Sequence, residues 1–410
     1  MSIDTAAKDL ASQIIRQDQV EIRCHHDADG IAAGAIMSIA LYRAHIPFRL
    51  RVTPRIQSQD IPKGGNILLC DLGSGISDLP EETMVIDHHL PLFEGPYHVN
   101  PRLSGIDGDY ELSGAGAAYL VANVIGDNRD LAGLVMTGII GDGQRLTGKN
   151  QEIYLEGMGN GIITKKRGVR LAGRDLPEQL ILATNPYFPG ISGNEAEITA
   201  LINQCTPESS DISTDSLLSL LILGAAEWNR SESLLNLYGD VYQLEREISP
   251  DAHTMTMLID ACGKEGEGSI AASICLRSSS DLGRAWEIAR EHRLRLINEL
   301  GQTLAKTRNE GDQVYEISDK RLASDMADTI SGCKDIDRSV IVVAGEEDGT
   351  SHLSIRVPER GQAGTDLGTL VHTLAAECGG YGGGHTNRAG ATIASEHISR
   401  FIAGIHEVYA

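Results

Sequence analysis

Residues 21–33 read EIRCHHDADGIAA, and the rest of the chain is organised around them. Residues 22–24 have the character of a strand end. The polar burst His25-His26-Asp27-Ala28-Asp29 interrupts it just before Gly30 and a helix-forming run over residues 31–44. Hard ligands are thereby placed at a strand's carboxyl end. In extended chain successive side chains alternate, so His25, Asp27 and Asp29 face one way while His26 and Ala28 face the other. One imidazole and two carboxylates suit Mn²⁺, Mg²⁺ or another borderline divalent ion rather than a thiolate-seeking one. Carboxylates so close repel unless cations lie between them. A plain alternative stands beside this reading: Asp29 caps the following helix and Asp27 is solvated.

Later stretches shift the balance toward a metal centre. Residues 66–71, NILLCD, read as an apolar strand ending in Asp71, and residues 83–89, TMVIDHH, as another ending in Asp87-His88-His89. Residues 131–142, LAGLVMTGIIGD, deliver Asp142 after a third apolar run. In open parallel α/β sheets, the carboxyl edge of the strands is where sites are built. A purely structural reading has to explain each of these endings independently.

In their order and spacing, HHDADG, Asp71, Asp87-His88-His89, Asp142 and Gly382-Gly383-Gly384-His385 resemble the successive motifs of the DHH phosphoesterase superfamily with its C-terminal DHHA1 domain. NPYFPGISG at residues 185–193 and DAHTMTMLIDACGKEGEG at 251–268 further resemble the archaeal RecJ-like branch of single-strand exonucleases. The resemblance covers nearly the whole chain. It implies an α/β fold: a mostly parallel-sheet DHH domain over residues 1–165, a helical extension with a long connecting helix over 166–310, and a smaller α/β DHHA1 domain over 311–410 forming the other wall of a cleft.

Composition agrees with a soluble intracellular protein. At 410 residues and 44 kDa the chain holds two or three domains. No apolar run reaches the length of a transmembrane helix, and residues 1–17 lack the layout of a signal peptide, so no membrane partner is expected. The 7 cysteines form no CxxC pair, which suits reduced thiols in the cytoplasm. The net charge of −22 is awkward for a polyanion-binding protein. Two bound dications offset it where it matters. Local basic groups exist at Arg49, Arg51 and Arg55, and at Lys165-Lys166-Arg167 with Arg170 and Arg174, although a solvated surface explains the first set.

Along the chain, strands are expected at 20–24, 48–53, 66–71 and 83–87, and helices at 30–44, 113–126 and 130–140, an alternation that argues a parallel sheet covered on both faces. Ser113-Gly114-Ala115-Gly116 reads as a helix cap with close backbone approach, adequately explained by packing. Helical spacing recurs at 195–204, 215–228, 232–247 and 281–308, and residues 185–193 read as a loop that helps wall the site or simply connects. After a domain start near Gly311, strands are expected at 313–317, 339–345 and 352–357, with a helix over 366–376 after Thr365.

The run CGGYGGGHTNRAGATI at 378–393 matches neither the phosphate loop nor the dinucleotide fingerprint. Gly382, Gly383 and Gly384 are instead expected to present consecutive N–H groups as an anion nest beside His385, with a tight turn before a strand at 389–393 as the alternative. His352, Ser354 and Arg356 alternate on one side of their strand, so Arg356 is expected to reach a phosphate.

The resemblance implies two divalent metal ions, Mn²⁺ first and Mg²⁺ second. His25, Asp27 and Asp71 hold one, and Asp29, His88 and Asp142 the other, with Asp71 bridging. Asp87 orients the histidines and His89 faces the substrate phosphate, while Arg356, Gly382 to Gly384 and His385 grip a neighbouring phosphate or base. The expected substrate is single-stranded DNA or RNA cut from one end. Aromatics are only 4% of the chain, with Tyr381 and Tyr187-Phe188 as stacking candidates, and no segment reads as the OB-fold of bacterial relatives, so short oligonucleotides are also in view. Alternatives are a small-substrate phosphoesterase (a nanoRNase, a phosphoadenosine-phosphate phosphatase or a cyclic-dinucleotide phosphodiesterase) and a replisome scaffold binding GINS or a helicase.

Overall fold

The computed structural model describes residues 1–64, 66–206, 212–307, 313–334, 336, 338–345, 348–357 and 366–409. Gly311 and Thr365, where the sequence marks a domain start and a helix approach, and Arg308, the expected end of a long helix, lie outside the described residues. The chain divides into two units, one of Met1–Arg167 with Asp240–Ala289 and the other of Gly168–Gly239 with Arg290–Ala410. Residues 166–310, read from the sequence as one helical extension, are split between them.

The first unit begins with α1 (Ile3–Ile15), capped by Ser2, and then alternates β1 (Val20–Cys24), α2 (Ala28–Arg43), β2 (Phe48–Val52), β3 (Ile67–Cys70), β4 (Met84–Ile86) and β5 (His98–Val99). These strands form one sheet in the order β2-β1-β3-β4-β5, with every pairing parallel. β3 and β4 are buried at every position, as befits strands covered on both faces. Next come α3 (Gly114–Ile125), α4 (Ala132–Gly141) and α5 (Gly148–Gly159). α2 is apolar on nearly every side and packs against α3 and α4, the pattern of a core helix. The expected elements appear within a residue or two, except that α2 begins at Ala28, ahead of Gly30. α1, β5 and α5 were not foreseen.

The chain leaves the first unit along β6 (Ile163–Val169) and returns along β7 (Tyr238–Leu244), which together form a two-stranded sheet. Between them lie α6 (Leu176–Ile181), α7 (Glu195–Cys205), α8 (Thr214–Ala225) and α9 (Ser231–Leu235). The helix expected over 232–247 is overturned: α9 stops at Leu235, and Tyr238, Val241 and Tyr242 favour a strand while Gly239 disfavours a helix. α10 (Ala252–Lys264) and α11 (Gly268–Cys275) then pack on α2. α12 (Leu282–Thr307) is the long amphipathic helix that the sequence indicates, with Ala289, Leu296 and Leu300 buried.

The second unit continues with β8 (Val314–Ile317), α13 (Ala323–Ser331), β9 (Val340–Gly345), β10 (Thr350–Arg356), α14 (Leu367–Glu377), β11 (Tyr381–Gly384), β12 (Arg388–Ala394) and α15 (Ile398–Tyr409). Its sheet runs β11-β12-β10-β9-β8, antiparallel except where β8 meets β9. One face packs Leu353, Ile355, Ala391 and Ile393 against Val371 of α14 and Phe401 of α15. On the other, Val340 and Val342 meet Leu300 of α12 with Met326 and Ile330 of α13. Tyr187 and Phe188, expected as stacking surfaces, are buried in the apolar cores of this unit. Aromatic area between two prolines is worth more to a core than to solvent.

Candidate metal centre

The parallel sheet of the first unit ends in ligands because each strand stops at the same edge. β1 stops at Cys24 and is followed by His25 to Asp29; β3 stops at Cys70 and is followed by Asp71; β4 stops at Ile86 and is followed by Asp87, His88 and His89. Cys24 and Cys70 are register partners, so His25 and Asp71 leave the sheet side by side. Asp142 arrives differently, as the C-cap of α4. There it faces the negative end of a helix, a place that favours a cation over another carboxylate.

His25, Asp27 and Asp29 are not set by simple strand alternation. Asp27 is the N-cap of α2, its Oδ1 accepting from the Gly30 amide at 2.9 Å while Oδ2 lies 2.7 Å from His25 Nδ1. Asp29 sits in the first helical turn, fully buried. Its carboxylate is cradled by the N-terminus of α3, accepting from Gly114 N at 2.6 Å and Ala115 N at 2.9 Å. The Ser113-Gly-Ala-Gly turn, read from the sequence as packing, is therefore an anion-holding helix start that positions Asp29. A Cβ at Gly138 of α4 would lie 2.0 Å from Asp29 Oδ1, and one at Gly114 would lie 2.8 Å from Oδ2. Bare backbone is what leaves room for the carboxylate.

Around Asp71 the distances tighten. His25 Nδ1 lies 3.5 Å from Asp71 Oδ2, while His88 Nε2 lies 3.1 Å and His89 Nδ1 3.6 Å from Asp71 Oδ1. His88 Nε2 also lies 3.2 Å from Asp142 and 3.6 Å from Asp29. Donor atoms of His25, Asp27 and Asp71 fall within 4.8 Å of one another, as do those of Asp29, His88 and Asp142. Asp71 has φ 58°, a left-handed conformation that costs on the order of 1–3 kcal/mol outside glycine and that clusters at functional sites.

These residues fit divalent cations on a direct observation. Both oxygens of Asp71 are buried and accept no hydrogen bond among the described residues. His88 Nδ1 lies 2.7 Å from the Gly108 carbonyl, which can only accept, so Nδ1 carries a proton and Nε2 is the nitrogen turned toward three carboxylates. Lone pair against carboxylate is repulsive unless a proton or a metal ion lies between. Asp87 is different in kind: Oδ2 accepts from Ser74 N at 2.8 Å, and Oδ1 from His88 N at 2.8 Å and His89 Nδ1 at 2.7 Å. Its lone pairs are used in orienting the histidines.

Titration behaviour follows the same division. Burial, with Asp71 beside it, pushes the Asp29 carboxyl up to about 7, and burial with Asp29 nearby holds Asp142 well above the usual carboxylate range. Burial would lower the imidazoles, but Asp27 outweighs it at His25, and Asp71 and Asp142 at His88, so both are raised well above their ordinary value. Burial would raise Asp27 and Asp87, yet His25 holds the first, and His89 with His88 the second, well below the carboxylate range.

In the second unit the expected substrate residues stand otherwise than foreseen. Arg356 is only 8% exposed, and each of its three guanidinium nitrogens donates within the protein. Nε donates to Asp328 Oδ1 at 2.6 Å, Nη2 to Asp328 Oδ2 at 3.1 Å and to Ser324 Oγ at 2.9 Å, and Nη1 to the Ile355 carbonyl at 3.0 Å. It is committed to α13 rather than extended as a hand for phosphate. Gly382 to Gly384 are not a nest but the edge strand β11, whose alternate N–H groups pair with β12. His385 follows directly, its amide donating to the Arg388 carbonyl at 2.7 Å. Tyr381 is 41% exposed on the same strand. Of the basic stretches, Arg51 pairs with Glu21, Lys165 and Arg167 with Asp240, and Arg174 with Glu178.

Comparison with known proteins bears on this arrangement. Residues 313–410 match the family model of the DHHA1 domain. An uncharacterised protein of Methanocaldococcus jannaschii is 25% identical over 433 residues, covering 99% of this chain and 97% of its own. RecJ of Thermus thermophilus, solved in complex with Mn²⁺, aligns with a TM-score of 0.62 and 17% identity over 99% of this chain, which spans 54% of that RecJ. The same RecJ has been solved in complex with Mg²⁺. CDC45 from Entamoeba histolytica aligns over 99% of both chains with a TM-score of 0.60 and 11% identity. No described helix is long and apolar enough to cross a membrane.

Proposed function

We propose, from the premise that this chain belongs to the DHH/DHHA1 superfamily and has the RecJ-like fold, that it is a metal-dependent phosphoesterase acting as an exonuclease on single-stranded DNA or RNA. The observation that carries the reading is Asp71, a strained and buried carboxylate without a hydrogen bond among the described residues, set between two groups of donors. His25, Asp27 and Asp71 would hold one divalent ion, and Asp29, His88 and Asp142 the other, with Asp71 common to both. Such ions, Mn²⁺ or Mg²⁺, supply an acidified water at neutral pH and neutralise charge on phosphoryl oxygens.

The chain's own residues do the rest. The Gly114 and Ala115 amides keep Asp29 aimed at His88, and Asp87 fixes the ring of His89, which offers Nε2 to a substrate phosphate. In the DHHA1 domain, Tyr381 gives a base a surface to stack on, with the bare edge of Gly382 to Gly384 and the His385 imidazole beside it. Arg356 enters only by anchoring Asp328.

Scarce aromatics favour short strands, so a di- to pentanucleotide phosphoesterase is the second reading. The test is a product ladder over time from single-stranded DNA and RNA oligomers labelled at either end, with Mn²⁺ or EDTA and Asp29→Ala as control. Mononucleotides released from one end only in Mn²⁺ are the expected result. Turnover of short oligomers alone moves the substrate to the second reading, and no hydrolysis at all leaves a scaffold that binds replication partners such as GINS.

A further inference from the structure

We infer that Asn100 and Arg102 are positioning residues that hold the His88-His89 pair at the angle which an ion and a phosphate require; this rests on the two-ion reading above. The backbone ladder between β4 and β5 ends with Asp87 N donating to the Val99 carbonyl at 3.0 Å. Beyond that point side chains replace the ladder. Asn100 Nδ2 donates to the His89 carbonyl at 2.9 Å, and Arg102 Nε donates to the His88 carbonyl at 2.9 Å. Two successive carbonyls are thus taken by two side chains of one short turn.

Each partner is itself held. Asn100, 1% exposed, donates to Ser74 Oγ at 2.9 Å and accepts from Arg102 N at 2.9 Å. Ser74 Oγ lies 2.8 Å from His98 Nε2, and Ser74 N donates to Asp87, the residue that binds the His89 ring. Arg102 spends the other end of its fork on Asp109 at 2.6 Å. The loop between them lies close against the pair: a Cβ at Gly108 would stand 2.3 Å from the His88 carbonyl, and the Gly108 carbonyl takes His88 Nδ1. The two imidazoles hang on either side of the 88–89 peptide, so turning that peptide swings both rings. Arg102 holds the 88–89 peptide through the His88 carbonyl and Asn100 holds the next peptide through the His89 carbonyl, and neither residue supplies a donor atom of the candidate ion groups.

Their substitutions separate the two rings. Asn100→Asp keeps the oxygen that accepts from Arg102 N and loses both donors. Arg102→Lys keeps the charge, but one ammonium cannot span the His88 carbonyl and Asp109 as the fork does. On the full chain, Mn²⁺ binding is titrated by calorimetry, apo melting temperatures are recorded, and kcat and KM are measured on the oligomers above. Arg102→Lys should weaken one Mn²⁺ step by about tenfold or more and the other by less than about twofold. Asn100→Asp should leave both steps within about threefold and lower kcat about tenfold with KM little changed.

Equal weakening of both steps in proportion to a lowered melting temperature would overturn the inference, as would wild-type binding and turnover in both variants. If the wild type hydrolyses nothing yet binds Mn²⁺, the proposed activity fails while the unequal loss in Arg102→Lys still decides the positioning role. A wild type that binds no Mn²⁺ overturns both.

Discussion

Gly138→Ala tests the candidate centre without replacing a ligand. Gly138 lies in α4, and an added Cβ would stand 2.0 Å from Asp29 Oδ1, 2.8 Å from Ala115 Cβ and 3.1 Å from Asp29 Cγ. Restoring ordinary contact moves the carboxylate by on the order of 1 Å, because α4 and α3 are packed elements and the side chain is what can yield. That shift breaks the 2.9 Å bond from Ala115 N. A hydrogen bond to a charged group is worth about 1.5–3 kcal/mol, which corresponds to roughly 10- to 150-fold in an equilibrium constant. Mn²⁺ affinity at the step served by Asp29 should fall by about that factor, and a misplacement of this size costs a similar factor in turnover. Calorimetric titration with Mn²⁺ is the assay. Gly159→Ala is the control, since Gly159 closes α5 with open space around its Cβ position. Unchanged Mn²⁺ binding in Gly138→Ala would refute the role given to Asp29.

The raised carboxyls of Asp29 and Asp142 and the raised imidazoles of His25 and His88 all bind protons more tightly when folded, so their contribution to stability is lost as pH rises through the folded values, about 7 for Asp29. The apo melting temperature should therefore fall between pH 5.5 and 8, and Mn²⁺ should raise it more at pH 8, as calorimetric scans will show. Asp71→Asn should lower the apo melting temperature, because it removes a buried carboxylate that faces the raised imidazoles of His25 and His88, and should abolish one Mn²⁺ step. Phe188→Ala should cost about 3–5 kcal/mol in urea unfolding, whereas Tyr381→Ala should leave stability near wild type and raise KM for oligonucleotides. Asp328→Ala strands the buried Arg356 and should cost about 3–5 kcal/mol by the same unfolding assay.

What the sequence made legible were features that a strand carries within itself. β3 and β4 are buried on both faces and so read as unbroken apolar runs, and the ligands stand out as the polar residues that end them. The helix expected over 232–247 went astray because Leu234, Leu237, Val241 and Leu244, all buried, fall at spacings that fit one face of a helix as well as a turn followed by a strand. Arg356 was placed on the correct face of β10, but the face does not reveal that Asp328 of another helix waits there. The amides of Gly114 and Ala115 meet Asp29 across 85 and 86 residues of chain, and nothing local announces such a partner. His25, Asp27 and Asp29 were expected along one side of an extended run, whereas they come from a strand end, a helix cap and a first turn, with His25 and Asp27 grouped beside Asp71 and Asp29 beside His88 and Asp142.

The disposition of charge bears on the choice between the proposed metal-dependent phosphoesterase and a scaffold. Asp87 is satisfied by backbone amides and the His89 ring, so burying it needs no ion. Asp71 and His88 are not served in this way: the Asp71 oxygens accept no hydrogen bond from a backbone amide among the described residues, and His88 Nε2 faces carboxylates, which raise its imidazole. In the apo protein the raised imidazoles of His25 and His88 face the buried Asp71 carboxylate, and an ion that took the place of their protons would return its binding energy as stability of the loaded state. The same geometry explains why the centre sits where three parallel strands stop together. There the backbone leaves the ladder, each chain end can turn its side chain inward, and α3 and α4 meet the strand ends with an N-terminus and a C-terminus, one holding a carboxylate and the other calling for a cation.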